Sequence, residues 1–370
     1  MDTYIDLILE NLENIQKIPS PTFDEKERAE FIFKEYLNRG LHNVQMDTLG
    51  NVYGFFPGGT QKSMVISAHL DTVHARTIPH IILKNEDTWS GPGIGDNTLA
   101  LAAQIGLIEY FKNTKELPGG VWFVANVAEE GLGNLNGIKA VVDKFSNQVL
   151  AYLVLEGLGL GVIFHRGLGV NRYRLIVKTR GGHSWGDYGS PSAVHELSKM
   201  VAKFCDLQLP GKPKTTLNVG TITGGTTINS IADLASCDID LRSVDPKILE
   251  ILIGNIHSII QKSQKTGVDI TLEIIGQRPF GSIDSQHWMV KLAEDALERS
   301  QIRPILAIGS TDASYPLSLG YASVCVSLTR GGFVHTPKEY IELKPIRRGF
   351  EQLIFMIKNS WDYAFKDSTL

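Results

Sequence analysis

The sequence predicts an α/β protein: a mostly parallel sheet flanked by helices, interrupted by an inserted ferredoxin-like α+β domain. Three observations carry this reading. Continuous apolar runs at residues 64–68, 121–128, 151–155 and 322–328 alternate with amphipathic stretches, the pattern of parallel strands covered on both faces. Between the third and fourth runs the order changes to strand, helix, strand, strand, helix, strand, which is the split ferredoxin-like unit. A chain of 370 residues, 43% hydrophobic and 21% charged, is an ordinary globular composition at a length that exceeds one core.

Two helices fill the first forty residues, split by Pro19, Ser20, Pro21 and Thr22. In the second, Ala29, Ile32, Phe33, Tyr36 and Leu37 recur at helical spacing, and Gly40 supplies the stop. Residues 51–56 read as a strand ended by Pro57, Gly58 and Gly59. The run at 64–68 follows, then a helix over 98–111 and the runs at 121–128 and 151–155. In the middle of the chain, strands are expected at 170–179, 216–222, 234–242 and 268–275, with helices at 192–205 and 246–263. Gly276 to Gly281 ends this block. The expected domains are residues 1–169 and 280–370, two parts of one domain, with residues 170–279 inserted between them.

Charge and cysteine usage exclude several classes. Lys+Arg is 36 against Asp+Glu 40, a net charge of −4, so no basic excess directs the chain to nucleic acid or an anionic membrane. The three cysteines, Cys205, Cys237 and Cys325, are odd in number and never in CxxC spacing. They read as reduced thiols of a cytoplasmic protein. The first residues lack the basic start and apolar core of a signal peptide, and no uncharged apolar stretch reaches the roughly 18–20 residues of a membrane span. Gly91-x-Gly93-x-Gly95 is not the dinucleotide fingerprint GxGxxG, and neither GxSxG nor a phosphate loop occurs.

The acidic and histidine side chains fall in a pattern. His69 and Asp71 follow the run at 64–68, Glu129 and Glu130 follow 121–128, and Glu156 follows 151–155. His335 lies in the loop after Leu328, and Asp96 sits before a helix in Gly91-Pro92-Gly93-Ile94-Gly95-Asp96-Asn97. In an open α/β sheet, functional groups gather at the carboxyl ends of the parallel strands. Converging carboxylates repel one another unless a cation neutralises them, and two imidazoles among them suit borderline metals rather than calcium. Two histidines and three carboxylates are too many for one tetrahedral zinc with an open position. They suit two metals sharing a bridging carboxylate and a water. His69 and Asp71 are two apart on a strand, so the Asp71 carboxylate can accept the second N–H of a metal-bound His69. Adjacent Glu129 and Glu130 cannot both point one way in extended chain; one binds metal and the other serves as general base.

The segments Ser67-Ala68-His69-Leu70-Asp71-Thr72-Val73, Gly95-Asp96-Asn97, Glu129-Glu130-Gly131, Glu156-Gly157 and Gly331-Gly332-Phe333-Val334-His335 resemble the di-zinc exopeptidase and aminoacylase superfamily. This superfamily includes peptidase T, glutamate carboxypeptidase and acetylornithine deacetylase. The resemblance covers nearly the whole chain, including Gly309-Ser310-Thr311-Asp312-Ala313. It implies a zinc exopeptidase-like fold in which the inserted ferredoxin-like block is a lid domain that also forms a homodimer. It implies His69 and Glu156 on one metal, Glu130 and His335 on the other, and Asp96 bridging. Asp71 would orient His69 and Glu129 would be the general base. His183, in Gly181-Gly182-His183-Ser184, looks like the lid histidine that polarises the substrate carbonyl in the partner subunit's site, and Asn229 and Arg242 look like lid residues that hold the substrate's backbone or carboxylate. The metals implied are two divalent ions, zinc foremost, with cobalt or manganese as alternatives. The implied activity is a peptidase T-like aminopeptidase on short peptides; an N-acyl-amino-acid deacylase or a carboxypeptidase would use the same machinery. A non-catalytic binding protein on the same fold is the alternative from another class. Two departures are visible: His74-Ala75-Arg76 where many relatives carry proline, and Asn97 where many carry an acidic residue.

Overall fold

Alternate side chains of the strand Gln61–His69 enter two different cores, and this places the strand at the centre of the molecule's main sheet. Met64, Ile66 and Ala68 join a large cluster with residues of the helices Asp2–Gln16, Ala100–Lys112 and Ile346–Asp367. Val65 turns to the other face and packs with Ile138, Val141 and Val142 of the helix Asn136–Phe145. A period of two over a continuously apolar run has this consequence when both faces are covered. The computed structural model describes residues 1–114 and 117–367. In it the chain forms two compact units, Met1–Gly167 with Gly281–Leu370, and Leu168–Phe280.

In the first unit, the strands Gly119–Asn126, Gln61–His69, Tyr152–Leu158 and Ser323–Thr329 lie side by side and parallel. All four therefore end on the same edge of the sheet. Antiparallel strands Val52–Phe56 and His42–Met46 extend one side, and Val162–Gly167 with its neighbours extends the other. The helix expected over 98–111 runs Ala100–Lys112, preceded by a widened turn at Ile94–Leu99 in which Asp96 is non-helical. A second, small sheet pairs Tyr340–Glu342 with Thr88–Ser90 and with Gly331–Gly332. Periodicity could not reveal it, because its strands are two or three residues long.

The second unit is an antiparallel sheet in the order Thr215–Gly224, Leu234–Ser243, Gly169–Thr179, Val268–Arg278. This is the strand order of a ferredoxin-like unit, as the element pattern predicts. Helices Ala193–Cys205 and Pro246–Ser263 share its core through Leu197, Met200, Leu252 and Ile256. Asp245 starts the second helix by accepting from Lys247 N and Ile248 N, with Pro246 in the first turn. Cross-strand pairs Arg172–Asp240 and Arg174–Asp238, at 2.9 and 2.8 Å, tie two of its strands together. Among the described residues no helix is long and apolar enough to cross a membrane.

Candidate metal centre

His69 is the last residue of its strand, Glu129 and Glu130 follow Gly119–Asn126, and Glu156 lies near the end of Tyr152–Leu158. Three neighbouring parallel strands thus deliver four of the predicted residues to one edge. Asp96 enters from the widened turn, and His335 from the loop between Gly332 and Tyr340, held at a φ of 64°.

The donor atoms converge. His69 Nε2 lies 3.0 Å from Asp96 Oδ1 and 3.6 Å from Glu156 Oε2. His335 Nε2 lies 3.1 Å from Asp96 Oδ2 and 3.0 Å from Glu130 Oε1. Asp96 therefore offers one oxygen to each group. Two donors each about 2.0–2.1 Å from one tetrahedral ion stand about 3.3 Å apart, so this spacing fits one ion in each half with Asp96 between them.

The adjacent glutamates depart from the extended geometry expected of them. Donor atoms of His69, Glu129 and Glu130 all lie within 4.8 Å of one another. The strand stops at Asn126 and Ala128 adopts a φ of 54°, so the pair sits on a turn and need not diverge. Asp71 lies against the His69 ring, as expected, and has a further role. The nearest partner of His69 Nδ1 is the Asp71 main-chain oxygen at 2.9 Å, with the carboxylate at 3.4 Å. The carboxylate also accepts from Glu129 N at 3.0 Å, Glu130 N at 2.9 Å and the Thr22 hydroxyl at 2.9 Å. Its main geometric effect is on the loop that carries both glutamates.

Two supporting residues escape sequence reasoning. Glu25 stands at the start of the helix Lys26–Asn38 without capping it through its side chain; its carboxylate accepts from Phe23 N and, at 3.1 Å, from Ala128 N. Glu339, wholly buried, accepts from Gly95 N and Asp96 N at 2.7 and 2.9 Å. No spacing rule marks an acceptor for an N–H group so distant in sequence. Asn97, one of the two departures, uses both ends of its amide: it donates to Leu155 O at 2.9 Å and accepts from Gly157 N at 3.0 Å. Those two residues flank Glu156. A carboxylate could accept but not donate, leaving the buried Leu155 oxygen facing a like partial charge. Asn97→Asp is therefore expected to destabilise the protein by about 1–3 kcal/mol, measured by urea unfolding; an unchanged midpoint would refute this role. At the other departure, Arg76 pairs with Asp24 and Glu27 at 2.7 and 3.0 Å while His74 is buried.

Electrostatics follow from burial and crowding. Burial pushes the Glu156 carboxyl up to about 7, with the charges of Asp96 and Asp312 adding to it against the pull of His69. Burial also opposes ionisation of Asp96, but hydrogen bonds from His335 and His69 outweigh it and hold that carboxyl below its ordinary value. Hydrogen bonds to Asp96 and Glu130 raise His335 to about 10. For His69 burial works the other way, and is overcome by the charge of Glu156 and by hydrogen bonds to Asp71, Asp96 and Glu156, leaving it well above the usual imidazole value. Asp71, Asp96, Glu129, Glu130 and Glu156 thus crowd the imidazoles of His69 and His335, with His74 also in the field of Asp96 and Glu130, an excess of negative charge that divalent ions would offset.

The predicted second-unit residues are placed as follows. His183 is exposed on the short strand Gly182–His183, paired with Ser230–Ile231, and its Nδ1 accepts from Trp185 N and Gly186 N, both at 3.2 Å. Nε2 is then the protonated nitrogen and a donor. Asn229 is adjacent, its main-chain oxygen accepting from Ser184 N at 3.0 Å. Arg242 is paired with Asp240 through Nε and a terminal nitrogen, at 2.6 and 3.2 Å.

A probable carboxypeptidase of Paracoccidioides brasiliensis is 24% identical over 260 residues, covering 63% of this chain and 57% of that protein. The chain spans little more than half the length of the curated relatives it matches. Its fold is that of the aminopeptidase PepT of Bacillus cereus, with a TM-score of 0.75 at 20% identity over 96% of this chain and 99% of that one. It is equally that of the dipeptidase Dug1p of Saccharomyces cerevisiae, with a TM-score of 0.80 at 16% identity over 97% and 98%. Residues 65–359 match the family model of Peptidase family M20/M25/M40, and the chain belongs to that family.

Proposed function

We propose that this protein is a metal-dependent hydrolase that cleaves a terminal amide bond of short peptides. The observation that carries the proposal is the pair of donor groups joined through the two oxygens of Asp96. His69, Asp96 and Glu156 would hold one divalent ion, and Asp96, Glu130 and His335 the other, with zinc the natural occupant of such a nitrogen and oxygen set. Bound there, two ions would acidify a shared water and polarise the scissile carbonyl.

Glu129 is the general base. It is buried beside His69 and Glu130, and its main chain is pinned by Asp71, so its carboxylate is preorganised to take the proton from water and return it to the leaving amine. Asp71 orients the Glu129–Glu130 turn and, through its main-chain oxygen, the His69 ring. His183, whose Nε2–H is a donor, is assigned to the developing oxyanion in the partner subunit's site. Asn229 and Arg242 are assigned to substrate binding, a guanidinium being suited to a carboxylate. The expected assembly is a homodimer through the second unit, and the three free cysteines suit a cytoplasmic setting.

Likeness to an aminopeptidase fold supports cleavage after the free amine of a di- or tripeptide. The curated relative named a probable carboxypeptidase favours the opposite polarity as the second reading. A mass-spectrometric screen of di- and tripeptides against N-acetyl and N-succinyl amino acids tests both. Release of the N-terminal residue from tripeptides is expected; release of the C-terminal residue supports the second reading, and cleavage confined to N-acyl amino acids would overturn peptidase activity.

A further inference from the structure

Glu339 donates no atom to either proposed ion, yet two segments that carry ligands meet on it. Its Oε1 accepts from Gly95 N at 2.7 Å and Asp96 N at 2.9 Å, across 244 and 243 positions of sequence. Its Oε2 accepts from His335 N at 3.3 Å. The Glu339 main-chain oxygen also accepts from Gly91 N at 2.8 Å, so the residues leading into the widened turn are tied to the His335 loop as well. Both segments need an external constraint. Asp96 stands at φ −109° and ψ 87° inside a helical turn, and Phe333 and His335 both hold positive φ, a region costly for residues other than glycine. The residue is wholly buried, and three N–H donors compensate its loss of water.

We infer that Glu339 is a positioning residue that sets the affinity of the Asp96–Glu130–His335 half for its ion, by holding the Asp96 and His335 main chains in register. The inference rests on the two-ion reading above. A carboxylate can accept on both oxygens. Glutamine can accept on one only, and two donors at Oε1 against one at Oε2 favour keeping its oxygen toward Gly95 and Asp96. Its NH2 group would then face the His335 N–H, donor against donor. Glu339→Gln therefore releases His335 while leaving Asp96 held, and Glu339→Ala releases both.

The experiment is calorimetric titration of ion-stripped, full-length protein with Zn2+. His335→Ala serves as the reference for the binding step that belongs to this half. Wild type is expected to show two steps. Glu339→Gln should weaken the step abolished in His335→Ala by about 10–100-fold and leave the other within a few-fold, whereas Glu339→Ala should weaken both. A role confined to general stability would lower the melting temperature of the ion-free protein and shift both steps of Glu339→Gln together, which would overturn the inference. Two unchanged steps in Glu339→Gln would overturn it also, while leaving the two-ion reading intact. A single step in wild type would overturn both.

Discussion

Glu129→Gln is expected to lower kcat by about 10²–10⁴-fold, the usual contribution of a positioned general base, while zinc content and KM stay near wild type. The glutamine matches the side chain in shape, so the buried site beside His69 and Glu130 is left without a cavity. The loop hydrogen bonds to Asp71 use the main chain of residues 129 and 130 and are untouched. The negative charge and the capacity to take and return a proton are removed. The acid limb of the kcat/KM profile that reports this carboxylate should vanish with it. Rates within a few-fold of wild type would assign the base elsewhere.

Ion uptake is expected to weaken steeply as pH falls. Hydrogen bonds to Asp96 and Glu130 raise His335 to about 10. His69 is also well above the ordinary value: the charge of Glu156 and its hydrogen bonds to Asp71, Asp96 and Glu156 overcome the lowering effect of burial. A raised imidazole pKa means that the ion-free protein carries the proton at neutral pH, so an ion must displace it to reach nitrogen. With one imidazole proton released per ion, each affinity falls about tenfold for each pH unit lost from the raised range of the two histidines down to about 7, and more steeply below that, where the Glu156 carboxyl also takes up a proton. Calorimetry in buffers of different ionisation enthalpy counts the protons directly. Between two and three released per chain at pH 7 is expected, two from the histidines and part of one from Glu156, and none would contradict the assignment of the two histidines as ligands.

Legibility in the sequence followed the length of the apolar runs. His69, Glu129, Glu130 and Glu156 each stand at the end of a run that forms a buried parallel strand, so their shared edge could be read from the runs. The antiparallel second unit was equally plain, because its strands and helices are long enough to show their periods. Asp96 and His335 were found by residue type and motif, and their structural support was hidden. The widened turn and the small sheet of Thr88–Ser90, Gly331–Gly332 and Tyr340–Glu342 have too few residues for any period. Asp71, Glu25 and Glu339 mark another limit. Each binds main-chain N–H groups from distant segments, and every residue but proline offers that donor. Which carboxylate meets which N–H is decided by tertiary packing alone.

The central claim is that Asp96 joins two ion sites, and anomalous scattering from crystals of the zinc-loaded protein tests it most directly. The account predicts two peaks per chain, about 3.5–4 Å apart, one among His69, Asp96 and Glu156 and the other among Asp96, Glu130 and His335. One peak alone, or peaks away from Asp96, would contradict it.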